Sequence, residues 1–411
     1  MSAPLAAAGH WVTVWAASAQ SAYPVGSTIA QRDLSAALPD ATHGLVNQSL
    51  RMTLRPSQWS MRFRLRLSHC FGDWPLQLRG MSLGLHLGGG ALVPGTRVEL
   101  PDQQIAAGAS AWTPAVDWPA TYASTQEMLG RQLSFSAWVD GASGPITWHA
   151  KAMATSYLAS PGDREAAGSD SELGFPHTTT ATFFVDALDA WLPSGVHALV
   201  AFGDSLTEGA ATTLNGYDRW TDVLQRALWA AGRHDVAVVN AGIGGNQVAG
   251  PPSEAGPWRG GPAAIERLQR DVLDLSAVRT VFWLQGINDF SDNGHADAAA
   301  VKEAMAHGVK HLRAEGIRVI GATVPSALGG TRTGHGSARQ DARRRAFNAE
   351  VRRGALFDAF VDLDLALTDP HTGALHAAFN GDSTLGEAGD GVHPNRAGHA
   401  AMARCILQNL P

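Results

Sequence analysis

Two cysteines, Cys70 and Cys405, are all that 411 residues contain. That scarcity excludes a disulfide scaffold and any cysteine-rich zinc site. Lysine is nearly as rare, standing only at 151, 302 and 310, so almost all of the 31 basic residues are arginine. No basic block stands out within a formal net charge of −6, which argues against nucleic acid or an anionic membrane surface as a partner. No apolar run approaches the roughly 20 residues of a transmembrane helix. The opening MSAPLAAAGH lacks the basic start and apolar stretch of a secretory signal, although Ala6-Ala7-Ala8 resembles the small-residue end of one. Glycine is what abounds, with 45 residues beside 45% hydrophobic and 17% charged. At about 150 residues per domain, such a chain has an ordinary core for each of two or three domains.

The pattern changes near residue 190. Before it, Ser60 to Leu67 alternates strictly, with Met61, Phe63, Leu65 and Leu67 on one face. Period-2 alternation predicts a half-buried strand, its arginines 62, 64 and 66 forming a solvated row with acidic partners across the sheet. Gly72-Asp73-Trp74-Pro75 supplies a turn, and further short strands are expected over 76–87, 97–100, 132–139 and 146–158. Many short strands with frequent turns predict an antiparallel β-sandwich over 1–190. Residues 159–178, rich in Gly, Ser and Asp, read as a long surface loop, and 189–195 as the junction between domains.

From 191 to 411, apolar strand candidates at 196–202, 236–239, 280–284 and 317–324 alternate with helical spacing. Helices are expected over 217–232, 262–275, 297–315 and 338–353, with Pro394 opening a last helix that ends near Leu407. That alternation predicts a parallel, doubly wound α/β sheet, whose ligands sit at the carboxyl ends of its strands.

Four short blocks fall at such ends: Gly203-Asp204-Ser205-Leu206, Asn240-Ala241-Gly242-Ile243-Gly244-Gly245, Gly286-Ile287-Asn288-Asp289 and Asp390-Gly391-Val392-His393. Their chemistry fits acyl transfer. A serine hydroxyl becomes nucleophilic when a base takes its proton, and His393 can be that base for Ser205. Asp390 can orient the imidazole and stabilise its cation. Backbone N–H groups of Ser205 and Gly245, with the Asn288 amide, can meet the oxyanion.

In this order the blocks resemble the signature of the SGNH hydrolases, or GDSL esterases, over about 196–411. The resemblance implies a three-layer α/β/α, flavodoxin-like hydrolase domain. It puts the nucleophile on Ser205, the acid and base on Asp390 and His393, and the oxyanion hole on Ser205, Gly245 and Asn288. Gly242 and Gly244 are close rivals, but Gly245 stands five residues after Asn240, the spacing usual in the family. The phrase Leu284-Gln285-Gly286-Ile287-Asn288-Asp289 further resembles a branch related to acetylxylan esterases that carries an N-terminal, jelly-roll-like β-domain. Members of that branch are often exported, which implies a secreted or periplasmic protein whose signal has been removed, the alternative being a cytoplasmic one. The expected activity is a serine esterase for short-acyl carboxylic esters, with no metal or cofactor and a small-molecule or carbohydrate ester as partner. Carbohydrate O-acetylesterase, carbohydrate-binding and acyltransferase activities on the same scaffold are the alternatives.

Asp204 and Asp289 adjoin the catalytic positions and are expected to cap helices or brace loops. His335, His371 and His376 lie in Gly/Thr-rich loops without ligand-pair spacing. Trp258 is a candidate for lining the acyl or leaving-group side. Trp283 and Phe290 flank the asparagine block, with Trp283 expected in the core, and 368–392 is expected to shape the rim.

Overall fold

The structure, a computed structural model, describes residues 9–22, 33–40, 42–118, 126–250, 260–332 and 334–410. Ala6-Ala7-Ala8 and Trp258 lie outside the described residues. The chain is a mixed α/β protein whose β-rich first part precedes alternating strands and helices.

Strand ladders up to Pro193 are antiparallel, and those from His197 onward are parallel. One antiparallel sheet runs Gly9–Ala16, Val185–Pro193, Arg62–Ser68, Val116–Asp117, with Ser110–Trp112 also paired to Arg62–Ser68. A larger one centres on Ser49–Leu54, Leu133–Val139 and Leu76–Gly88. A small third sheet joins Thr182–Phe183, Thr147–His149 and Gln20–Ser21.

The parallel sheet runs Val236–Gly242, His197–Gly203, Val278–Leu284, Arg318–Ala322, Ala359–Val361, an order of 2-1-3-4-5 counted along the chain. Its order reverses between the first and third strands, and the crevice beyond their carboxyl ends is where such sheets bind ligands. Strands covered on both faces read as unbroken apolar runs, as in Ala198-Leu199-Val200-Ala201-Phe202, all buried. Helix starts are set by side-chain caps: Asp297 for Ala298–Ala314, Ser337 with Gln340 for Ala338–Arg352, and Asn395 for Arg396–Asn409.

One apolar core runs through both parts of the chain, from Val12 and Phe63 to Trp220, Trp283 and Met402. Strand Gly9–Ala16 packs on Val236–Gly242 and His197–Gly203. Polar links reinforce the seam. Thr13 N–H donates to the Ser276 carbonyl at 3.1 Å, and Gln58 Nε2 donates to the Val236 carbonyl at 2.8 Å.

Several expectations need correction. Arg62 is exposed, but Arg66 is buried and Arg64 mostly so, because their face of the sheet lies against residues 270–276. The acidic partners are present: Arg64 pairs with Asp189 at 2.9 Å and Arg66 with Asp186 at 2.7 Å. Residues 189–193, expected as a junction, instead finish a strand held between two others, so the connection to the parallel sheet is the short turn 194–196. Segment 159–178 is not all surface. It contains a 3₁₀ turn, Ala166–Gly168, with Ala166 and Ala167 buried, and its Ser169 and Ser171 carbonyls accept from buried Arg51. The last helix begins at Arg396, two residues after Pro394, because Asn395 supplies the cap. Strands Ser49–Leu54 and Ala359–Val361 are not among those expected; Ser49–Leu54 alternates polar Ser49, Arg51 and Thr53 with apolar Leu50, Met52 and Leu54, and both of its faces are buried.

Candidate active site

Ser205 stands where the first parallel strand turns into the short helix Ser205–Glu208. Asp204 precedes the helix in extended backbone, and its Oδ1 accepts the Leu206 N–H at 3.0 Å. This is the cap expected of it. Gly209, in the left-handed region at φ +104°, ends the turn after one cycle.

Two segments distant in the chain meet at this turn. His393, 188 residues further on, places Nε2 2.8 Å from Ser205 Oγ. Its Nδ1 lies 2.7 Å from Asp390 Oδ2. Asp390 Oδ1 in turn accepts the N–H groups of Val392 and His393, both at 2.9 Å. Partial burial opposes the Asp390 charge. The hydrogen bond from His393, its charge and the two backbone donors outweigh that, holding the carboxyl well below the usual carboxylate range. Because Nδ1–H donates to this carboxylate, Nε2 carries the lone pair and accepts from the serine hydroxyl.

The glycine block follows the second strand and abuts the serine turn, since Ile243 N–H donates to the Gly203 carbonyl at 3.1 Å. Gly242 lies so close to Glu208 that a Cβ would collide with the Glu208 backbone nitrogen. Gly245 has φ +82°, where a side chain is strained. Among the described residues, neither Ser205 N–H nor Gly245 N–H donates to an acceptor. The next residue, Asn246, is tied down from several directions. Its Nδ2 donates to the Gly260 and Pro262 carbonyls, and its Oδ1 accepts from Arg267 Nε at 3.0 Å and Gln285 Nε2 at 2.8 Å.

Asn288 joins the site through this loop: its Nδ2 donates to the Asn246 carbonyl at 3.0 Å. On its other side, His335 Nε2 lies 3.1 Å from Asn288 Oδ1. Ser205, Asn288 and His393 are 5%, 8% and 6% exposed, so little of each meets solvent.

Two further carboxyls lie beneath. Asp289 accepts the Val248 N–H at 2.9 Å and braces the loop after the glycine block. Burial pushes the carboxyls of both Asp204 and Asp289 up to about 7, with the charge of Asp204 adding to the effect on Asp289.

The sequence singled out Ser205, Asp390 and His393, which lie within one hydrogen-bond chain, and Gly245 and Asn288, which lie on either side of Asn246. Trp283 and Phe290 are fully buried in the core. Three groups around the site carried no signal in the sequence. They are His335, the four-way brace Arg267, and Lys151, whose Nζ reaches Glu208 Oε2 at 3.2 Å. Each acts through a partner remote in the chain, where no local spacing points to it.

Against known proteins, residues 201–401 match the sequence profile of the GDSL-like Lipase/Acylhydrolase family. No curated protein matches the chain. Among solved structures, a lipase/acylhydrolase from Enterococcus faecalis is similar at 24% identity and TM-score 0.40, over 52% of this chain and 95% of that one. A GDSL-like lipase from Bacteroides thetaiotaomicron is similar at 22% identity and TM-score 0.38, over 52% and 86%. A carbohydrate acetylesterase from Sinorhizobium meliloti is similar at 14% identity and TM-score 0.39, over 52% and 97%. No helix among the described residues is long and apolar enough to cross a membrane.

Proposed function

We propose, from the premise that residues 201–401 belong to the GDSL-like lipase/acylhydrolase family and that the protein is a hydrolase acting on esters, that it cleaves short-acyl carboxylic esters through an acyl-enzyme on Ser205. The observation that carries this reading is the chain Asp390 Oδ2, His393 Nδ1, His393 Nε2, Ser205 Oγ, with links of 2.7 and 2.8 Å.

In the proposed reaction, Ser205 Oγ attacks the ester carbonyl carbon while His393 Nε2 takes the hydroxyl proton. Asp390 stabilises the resulting imidazolium. Charge develops on the carbonyl oxygen, which the N–H groups of Ser205 and Gly245 and the Asn288 amide would receive. Among the described residues these two backbone groups have no other acceptor, which supports that role. Each such donor contributes about 3–4 kcal/mol to the transition state. The intermediate collapses by breaking the bond to the alcohol oxygen, which leaves with the proton from His393. Water then repeats the sequence on the acyl-serine, losing its proton to His393 and releasing the acid. The small exposure of Ser205 and His393 favours a compact acyl group.

The same reading takes the chain as two domains, with the boundary moved from 190 to the turn 194–196 that follows strand Val185–Pro193. The two large antiparallel sheets support a β-sandwich in the first. In the second, contact of helix Trp220–Ala230 with Arg396–Asn409, and of Ala298–Ala314 with Ala338–Arg352, supports helical layers on the two faces of the parallel sheet.

Ser205→Ala tests the mechanism. The variant is expected to keep its melting temperature and lose turnover of p-nitrophenyl acetate by at least about 10³-fold. Retained turnover would show that another group is the nucleophile.

A further inference from the structure

Asn288 is gripped at both ends of its amide. A primary amide can rotate by half a turn and exchange its oxygen with its nitrogen at little cost in shape. Here the Asn246 carbonyl, 3.0 Å from one end, can only accept, so that end must be Nδ2. The other end is then Oδ1, an acceptor, and His335 Nε2 at 3.1 Å must carry a proton to meet it. Both contacts select the same rotamer, and together they occupy the oxygen and one N–H. One N–H is left over. The opposite rotamer would aim Oδ1 where that N–H now points and repel an oxyanion.

We propose that His335 is a positioning residue for the reaction: it holds the Asn288 amide with its remaining N–H directed at the oxyanion. This rests on the reading of Asn288 as an oxyanion donor. Donation into Oδ1 also polarises the amide and makes its N–H a stronger donor. The loop carrying His335 is itself anchored to the catalytic acid, since Thr331 N–H donates to the Asp390 carbonyl at 2.9 Å. His335 is buried, so its hydrogen bond to Asn288 is shielded from competing water. Preorganisation of this kind matters most when charge appears, and misplacing a catalytic donor by about 1 Å costs on the order of 100-fold in rate.

His335→Gln and His335→Asn separate this role from packing. A glutamine amide nitrogen overlays the imidazole Nε2, whereas that of asparagine overlays Nδ1 and falls short of Asn288. Turnover of p-nitrophenyl acetate is counted per active site titrated with an organophosphorus ester, so that any unfolded fraction drops out. H335Q is expected to stay within about 3-fold of the parent in kcat, and H335N to lose about 10- to 100-fold with KM little changed. Affinity for phenylboronic acid, which forms a tetrahedral adduct on serine, should fall in H335N in parallel with kcat. H335N added to N288A should cost nothing further, because the group it positions is gone. Equal kcat in H335Q and H335N, or full additivity with N288A, would overturn the proposal. If N288A alone leaves kcat unchanged, the oxyanion reading fails and the proposal falls with it.

Discussion

Lys151 Nζ lies 3.2 Å from Glu208 Oε2, and that carboxylate, 2% exposed, sits three residues after Ser205. The lysine comes from the antiparallel part of the chain and also packs against Gly244, next to the proposed oxyanion glycine. His149 Nε2, 3.8 Å from the other Glu208 oxygen, offers little help, since its Nδ1 faces the Ser18 carbonyl and burial lowers its basicity.

Removing Lys151 therefore strands a buried charge beside the proposed nucleophile. Lys151→Met is expected to destabilise the protein by roughly 2–3 kcal/mol, below the 3–5 of a fully buried pair because the lysine is partly solvated. Adding Glu208→Gln should recover most of that. Urea unfolding of the two single variants and the double variant measures the coupling. Additive losses would mean that the pair contributes nothing of its own.

Asp204 and Asp289 predict an unusual pH dependence. Both are raised to about 7 in the folded protein from an ordinary value of 3.8. Between those values the folded state binds more protons than the unfolded chain, so the stability tied to these groups declines as pH rises from about 4 to about 7. Asp390 acts oppositely and at lower pH, because its carboxyl is depressed. Asp289→Asn should flatten the decline, read as the denaturation midpoint at several pH values between 4 and 8. An unchanged slope in that variant would assign the effect elsewhere.

Arg267 spans the rims of two strands. Fully buried, it donates to the Gly203 carbonyl at 2.8 Å, the Ala241 carbonyl at 2.9 Å, Asn246 Oδ1 at 3.0 Å and Asp271 Oδ2 at 3.0 Å. Only a planar fork reaches all four, so Arg267→Lys should behave as a loss and cost about 3 kcal/mol or more. Differential scanning calorimetry of that variant against the parent measures it. A melting temperature within 1–2 °C of the parent, well short of the shift this loss implies, would make the brace redundant.

What the sequence made legible is what is local in it. Ser205, Asn288 and the Asp390–His393 pair stand at ends of apolar runs or just before a capped helix, and the period of the flanking residues locates them. Arg66 and His335 follow another logic. Their partners lie 120 and 47 positions away, and an alternating strand looks the same whether its polar face meets water or another sheet. The strand Ser49–Leu54 hid for a related reason. Its Ser49, Arg51 and Thr53 alternate with Leu50, Met52 and Leu54, but that polar face is buried, with Arg51 satisfied by carbonyls from distant loops.

The position of Val185–Pro193 between Gly9–Ala16 and Arg62–Ser68 bears on how portable the hydrolytic part is. A fragment started at 190 would tear the middle strand from one sheet. It would also uncover the apolar surface that Gly9–Ala16 now covers on Val236–Gly242, and lose the lysine that neutralises Glu208. The catalytic sequence cannot be lifted out like a cassette: any transplant to another scaffold must bring a replacement for that covering strand and that charge.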